Sequence, residues 1–176
     1  MSETRDVYLI TGSSGLLGHS LCHHFGSKEN CIVGFDSAGP PFPPPNTECL
    51  FCDLIDDESV QKTMFLVKER YGSKIKAVFH LAAYYDFNGK DSHLYKDLTV
   101  EGTRRMLREL QNFEVGQFIF SSSMLVYRPN QPGEKLTEES LIDKGGRLGR
   151  RAFRSRACLS SVASCSSCAR GSSLRR

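Results

Sequence analysis

Residues 11–18, with the sequence Thr-Gly-Ser-Ser-Gly-Leu-Leu-Gly, constrain the fold of this chain more than any other segment. They follow a short apolar run at residues 6–10 and lead into a stretch with apolar residues at helical spacing. Gly12 permits a tight turn, Gly15 lets the backbone approach a ligand without a Cβ in the way, and Gly18 allows a helix to pack closely on a sheet. The segment therefore predicts a buried strand, a glycine-rich turn and a helix.

The same turn predicts an anion site, because the N–H groups that open a helix have no partner within it. A glycine triplet between a strand and a helix is the fingerprint of a site for the pyrophosphate of a dinucleotide. An ordinary Gly/Ser turn is the alternative. The residues predicted to contact the cofactor are Gly12, Ser13, Ser14, Gly15, Leu16, Leu17 and Gly18.

Asp36 closes the second apolar run, 24 residues after Gly12. An acid at this spacing accepts hydrogen bonds from the hydroxyls of the adenosine ribose. A carboxylate also repels a 2′-phosphate, and no Arg follows in residues 37–39. The predicted cofactor is therefore NAD rather than NADP, with a solvated acid at a strand end as the alternative.

Apolar runs and helical patterns alternate as far as residue 121. Asp56 or Asp57 is predicted to cap one helix, and another helix is predicted over residues 92–112. Strands are predicted at residues 6–10, 31–36, 48–52, 75–81 and 118–121, the last entered by a turn at residues 114–116. Such alternation requires right-handed crossovers and a parallel sheet with helices on both faces. The predicted fold class is α/β, a doubly wound parallel sheet of the Rossmann type, in a domain at residues 1–144.

Two segments do not fit this alternation. Residues 39–45 hold five prolines and predict an extended loop, either a flap near the cofactor or a stiff surface connection. Residues 145–176 hold eight Arg, eight Ser and no acid, which predicts a disordered basic tail. The tail has no interleaved aromatics for nucleic-acid binding, and no His joins Cys158, Cys165 and Cys168 in a metal site. We therefore expect neither nucleic acid nor a metal as a partner.

Composition predicts a soluble protein of the cytoplasm. Apolar residues make up 39% of the chain and charged residues 24%, and no apolar run approaches the roughly 20 residues of a membrane helix. The polar N-terminus does not read as a signal peptide. Seven cysteines, an odd number without a regular framework, indicate reduced thiols.

The spacing Thr-Gly-x-x-Gly-x-x-Gly at residues 11–18 resembles that of the extended short-chain dehydrogenase/reductases. The resemblance is to NAD-dependent epimerase/dehydratases of nucleotide sugars and to their hydroxysteroid dehydrogenase-like relatives, and it covers roughly residues 6–142. It implies that Asp53 binds the adenine amine, that Leu54 packs on the ring, and that Leu81, Ala82 and Ala83 pass beside the cofactor. Taken alone, Asp53 is a turn residue and His80 is a core histidine with satisfied hydrogen bonds.

Two further motifs extend the resemblance. Thr99 stands where the family carries an Asn on its long helix, which puts the family's water-linked proton path in doubt for this chain. Thr99 is retained as a predicted cofactor contact. Residues 118–127 resemble the family's fifth strand and its substrate-binding serine, which implies that Ser123 binds the substrate oxygen, with Ser122 as the nearest alternative.

The family's proton-transferring Tyr, with a Lys four residues later, has no counterpart here. No Tyr follows Tyr127, and the resemblance stops near residue 144, where the sequence changes abruptly. A frameshift or an alternative splice is our hypothesis for that change, and the predicted sheet is incomplete. The resemblance implies an oxidoreductase that moves hydride between NAD and a secondary alcohol of a sugar nucleotide. A non-catalytic NAD-binding module, a hydroxysteroid dehydrogenase-like member and a basic-tailed interaction protein are the alternatives, and the sequence fixes neither the substrate nor the oligomer.

Overall fold

The computed structural model describes residues 5–39, 44–85, 92–123, 126–131 and 133–142. Within them lies one sheet of five strands in the order β3-β2-β1-β4-β5, and every neighbouring pair is parallel. The strands are β1 Asp6–Thr11, β2 Asn30–Asp36, β3 Thr47–Phe51, β4 Lys74–His80 and β5 Glu114–Phe120. The helices are α1 Leu16–Phe25, α2 Asp57–Tyr71, a π-helical segment Tyr95–Gly102, and α3 Thr103–Leu110. The predicted basic tail and residues 40–43 of the proline-rich loop lie outside the described residues.

Helices cover both faces of the sheet, as predicted for a doubly wound fold. Alternate residues of a strand point to opposite faces, and in β1 Leu9 joins the larger apolar cluster while Ile10 joins the smaller one. The larger cluster holds Val60 of α2 and Met106 of α3. The smaller cluster holds Cys22 of α1. α1 therefore packs on one face, and α2 and α3 pack on the other.

α2 begins where the sequence predicted. The carboxylate of Asp56 accepts hydrogen bonds from the backbone N–H groups of Glu58 and Ser59, both at 3.2 Å. This satisfies two donors that the helix itself leaves unpaired. No helix in the described part of the chain is long and apolar enough to cross a membrane.

Two element predictions need correction. Residues 114–116, predicted as a turn, open β5, because Glu114 pairs with Lys74 of β4 and its N–H donates to Ser73 O at 2.7 Å. These residues lie on the outermost strand of the described sheet, where polar side chains face solvent and the apolar pattern of a strand disappears. The helix predicted over residues 92–112 has a π-helical first half, Tyr95–Gly102.

Candidate functional site

The glycine-rich turn lies at the carboxyl end of β1, between β2 and β4. The N–H groups of Gly12 and Ser13 donate to the carbonyl oxygen of Phe35 at 2.8 and 3.2 Å, which ties the turn to β2. Gly12 has a φ of 71°, and a Cβ on it would lie 3.0 Å from the N of Ala82 on the β4 side. The turn therefore fills the point where the strand order reverses, which is where open α/β sheets bind ligands.

The start of α1 is open to an anion. Gly15 is the N-cap residue, and no side chain within the described residues caps the helix. Leu16 is 86% exposed and Leu17 is 62% exposed, so the first turn faces solvent. A Cβ on Gly18 would lie 2.0 Å from the carbonyl oxygen of Gly12, so only glycine lets the helix sit this close to the turn. Backbone N–H groups at an uncapped helix start of this kind can bind an anion.

Ser13 and Ser14 take opposite positions in the turn. Ser13 is buried and packs on β2, where a Cβ on Gly34 would lie 2.7 Å from its side chain. Its Oγ has no hydrogen-bond partner among the described residues. Ser14 is exposed, and both its N–H and its hydroxyl donate to Asp36 Oδ2, at 3.0 and 2.6 Å. The structure thus brings Ser14 and Asp36 together and turns the Ser13 side chain away.

Asp53 and Leu54 follow β3 at the same end of the sheet. Asp53 Oδ1 accepts a hydrogen bond from the N–H of Ile55 at 2.9 Å, the contact expected of a turn residue. Leu54 is 4% exposed and lies against Gly102. Little of the Leu54 side chain is therefore open to a ligand, and the carboxylate of Asp53 already supports its own turn.

His80 sits at the end of β4 in a buried chain of hydrogen bonds. Its Nδ1 lies 2.9 Å from Thr11 Oγ1, and its Nε2 lies 2.9 Å from Thr103 Oγ1. The Thr103 hydroxyl donates its one proton to the carbonyl oxygen of Thr99 at 2.6 Å, so it must accept from Nε2–H. Burial lowers the pKa of His80 to about 4, so the ring is neutral and Nδ1 accepts from the Thr11 hydroxyl.

At its other end, this series of hydrogen bonds reaches the segment that follows β4. Thr11 Oγ1 accepts hydrogen bonds from the N–H groups of Leu81 and Ala82, both at 3.2 Å. The hydroxyl of Thr11 thereby uses its proton and both lone pairs. His80 is a core histidine with satisfied hydrogen bonds, and Thr11, its partner, fixes the backbone of Leu81 and Ala82 beside the glycine-rich turn.

The remaining predicted residues lie around this segment. Ala83 is exposed, and the next residue, Tyr84, donates its N–H to Thr99 Oγ1 at 3.0 Å. Ser123 and Ser122 are exposed and follow β5, whose continuation is tied to β4 by the N–H of Ser121 donating to His80 O at 3.3 Å. The carboxyl ends of the five described strands thus carry predicted site residues along one edge of the sheet, and Thr99 lies on the π-helical segment.

Sequence reasoning missed the roles of Thr11 and Thr103 in this chain. Both are fully buried hydroxyls, one at a strand end and one on the apolar side of a helix. The available signal was the helical spacing of Thr103 with the apolar Met106 and Leu107, which places its hydroxyl on the buried side of the helix. That spacing does not identify His80 as its partner. Among the described residues no group of three His, Cys, Asp or Glu side chains could hold a metal ion.

The fold and the site define a Rossmann-type dinucleotide-binding class of protein. The chain belongs to the NAD dependent epimerase/dehydratase family, whose model matches residues 8–145. No curated protein matches the sequence.

Solved structures share the fold at low sequence identity. A short-chain dehydrogenase/reductase superfamily protein from Agrobacterium tumefaciens with bound NAD has a TM-score of 0.72 and 22% identity over 90% of this chain and 45% of its own. Uronate dehydrogenase from Agrobacterium tumefaciens has a TM-score of 0.68 and 18% identity, over 88% of this chain and 54% of its own. UDP-glucuronic acid 4-epimerase from Bacillus cereus, in complex with UDP-glucuronic acid and NAD, has a TM-score of 0.70 and 20% identity, over 89% of this chain and 52% of its own. The chain thus spans about half the length of these proteins.

Proposed function

We propose that this chain binds NAD at the edge of the sheet formed by the carboxyl ends of β1, β2 and β4. The observation that carries the proposal is the close approach of the uncapped start of α1 to the glycine-rich turn. A Cβ on Gly18 would lie 2.0 Å from Gly12 O, and the N-terminus of α1 has no side-chain cap in the described residues. A close, uncapped helix start next to a strand-end acid suits a dinucleotide.

The candidate residues would meet the parts of NAD in order along the sheet. The N–H groups of Leu16 and Leu17 would hold the pyrophosphate, and Asp36 would accept from the adenosine ribose. The family resemblance assigns the adenine to Asp53 and Leu54. It assigns the nicotinamide side to Leu81, Ala82, Ala83 and Thr99.

The substrate class that we propose is a sugar nucleotide with a reacting secondary alcohol. NAD, when bound, supplies a hydride acceptor. The family to which the chain belongs and a neighbour holding UDP-glucuronic acid support this class. Ser123, exposed just beyond β5, would donate its hydroxyl to the substrate oxygen and hold it at the nicotinamide end of the site.

For this 176-residue chain we propose cofactor binding without turnover. None of its six tyrosines has a Lys four residues later, so the family's acid–base pair is missing from the sequence. General acid–base catalysis contributes roughly 10²- to 10⁴-fold to a rate. The chain therefore acts as an NAD-binding domain over residues 1–144.

The test is a calorimetric titration of the 176-residue chain with NAD, followed by incubation with UDP-glucuronic acid or UDP-glucose. Absorbance detects NADH, and chromatography detects new sugar-nucleotide products of a redox-neutral reaction. We expect saturable binding of NAD, with neither NADH nor new products above the protein-free blank. Turnover above the blank would contradict the proposal that the chain is inactive without the family's Tyr and Lys. A titration without binding would overturn the proposed function as a whole.

A reducing compartment such as the cytoplasm is part of the proposal. The four cysteines in the described residues, Cys22, Cys31, Cys49 and Cys52, are all free. Free thiols, two of them buried, are the usual state of cysteines in the cytoplasm.

A further inference from the structure

The Asp36 carboxylate, which is the proposed ribose acceptor, already accepts most of the hydrogen bonds that it can. Its Oδ2 accepts from the N–H of Ser14 at 3.0 Å and from the hydroxyl of Ser14 at 2.6 Å. Its Oδ1 accepts from the N–H of Ala38 at 3.2 Å. Three donors of the protein therefore converge on one carboxylate.

A carboxylate offers about four acceptor positions, two on each oxygen. The three protein donors leave one of them, on Oδ1. An adenosine ribose presents two adjacent hydroxyls, and full engagement of both needs two positions. One protein donor must therefore leave for the ribose to bind with both hydroxyls.

The three donors differ in how easily they can leave. The N–H groups of Ser14 and Ala38 belong to the backbone, and the turn at Ser14 is held by the hydrogen bonds of Gly12 and Ser13 to Phe35. The Ser14 hydroxyl needs only a rotation of its side chain, and Ser14 is exposed. The hydroxyl is thus the donor that a ribose can displace without moving the backbone.

We propose that the Ser14 hydroxyl competes with the adenosine ribose for Asp36 and so lowers the affinity of this site for adenine nucleotides. The proposal rests on the NAD site proposed above. Ser14 is a specificity-determining residue here, because its effect depends on whether the ligand carries ribose hydroxyls. The backbone N–H of Ser14 keeps Asp36 oriented in both the free and the bound state.

The test is isothermal titration of the 176-residue chain with ADP and with 2′,3′-dideoxy-ADP, which lacks both ribose hydroxyls. For Ser14→Ala we expect an affinity for ADP about three- to tenfold above that of the natural chain, the range that one hydrogen bond supplies. The affinity for dideoxy-ADP should not change. Ser14→Thr, which keeps the hydroxyl, should bind ADP more weakly than Ser14→Ala does.

Ser20→Ala is the matched control. It removes a hydroxyl from the same region, but the Ser20 Oγ donates to Leu16 O at 2.9 Å inside α1 and does not contact Asp36. We expect no change with either ligand. If the Ser14→Ala variant binds ADP no better than the natural chain does, or gains equally with dideoxy-ADP, the competition is overturned.

The same titrations separate this proposal from the one it rests on. If the natural chain binds neither NAD nor ADP, the proposed function fails, and the competition fails with it. If the natural chain binds both and the Ser14→Ala variant shows no gain that depends on the ribose hydroxyls, the competition alone fails.

Discussion

Gly18 lies directly against Gly12, six residues earlier in the chain, with a Cβ position 2.0 Å from the Gly12 carbonyl oxygen. Real Cβ atoms do not approach an oxygen this closely, so the contact requires glycine at position 18. It sets the distance between α1 and the end of β1. Because the helix start is the proposed pyrophosphate site, this contact links the packing of the domain to binding of the cofactor.

Gly18→Ala should therefore weaken both folding and binding. Forcing a methyl group into a filled space costs about 1 to 3 kcal/mol of unfolding free energy, and the displaced helix start should no longer bind NAD. Urea unfolding and NAD titration measure the two effects. Gly39→Ala is the control, since a Cβ on Gly39 meets nothing within 4 Å. Normal NAD affinity in Gly18→Ala would contradict the role of this contact.

The buried His80 should make the protein less stable in acid. Burial lowers its pKa to about 4, whereas an unfolded histidine titrates near 6.5. The unfolded state takes up a proton before the native state as the pH falls. The contribution of neutral His80 to the free energy of unfolding is fully present above pH 6.5. It decreases by up to about 3 kcal/mol between pH 6.5 and 4.

Urea unfolding at intervals between pH 7 and pH 4 checks this, in the natural chain and in His80→Gln. The Gln variant, which cannot titrate, should lose stability less steeply over that range. His23→Gln, a substitution of an exposed histidine on α1, should keep the natural slope. An unchanged slope in His80→Gln would show that other groups cause the acid sensitivity.

Asp36→Asn should reduce the preference for NAD over NADP. The amide removes the negative charge that repels a 2′-phosphate and weakens the hydrogen bonds to the ribose. We expect the affinity for NAD to fall by about 10- to 100-fold, since hydrogen bonds to charged groups are worth about 1.5 to 3 kcal/mol. The ratio of the NAD affinity to the NADP affinity should therefore decrease. Competition titrations with both cofactors measure this. Asp6→Asn, whose carboxylate pairs with Lys76 at the opposite end of β1, should leave both affinities unchanged.

Two buried thiols should resist alkylation in the folded protein. Burial raises the pKa of Cys22 and of Cys52 to about 11, so at pH 8 only about one thousandth of each is the reactive thiolate. Iodoacetamide labelling followed by peptide mass spectrometry should find both unmodified in buffer and modified in urea. Equal labelling rates in the two conditions would show that these cysteines are not enclosed.

The local structure that the sequence predicts correctly around the candidate site depends on neighbouring residues. The turn at residues 11–18 and the acid at Asp36 depend on backbone conformation and strand ends, which neighbouring residues determine. The contact between Ser14 and Asp36 spans 22 residues, and no local pattern indicates it. The hydrogen bond of Thr11 to His80 spans 69 residues and exists only because β1 and β4 are neighbours in the sheet.

The start of β5 shows the same limit for the fold. Glu114, Gly116 and Gln117 have no apolar alternation, and their composition favours a turn. Pairing with β4 overrides that preference, since the backbone of β5 gains hydrogen bonds whatever its side chains are. Likewise, the π-helical geometry of Tyr95–Gly102 is invisible to a pattern that assumes 3.6 residues per turn.

The hydrogen bonds of His80 to Thr11 and Thr103 also favour one register of β4 against β1. Thr11 pairs with His80 in the parallel register of β1 and β4, and Ile10 pairs with Phe79. A shift by one residue would turn the imidazole to the opposite face and leave it buried without Thr11 or Thr103. Each polar group stranded in this way costs about 1 to 3 kcal/mol. Lys74 and Lys76 alternate with buried residues along β4, so the same shift would also bury a lysine, and His80 adds its own penalty to that of the lysines.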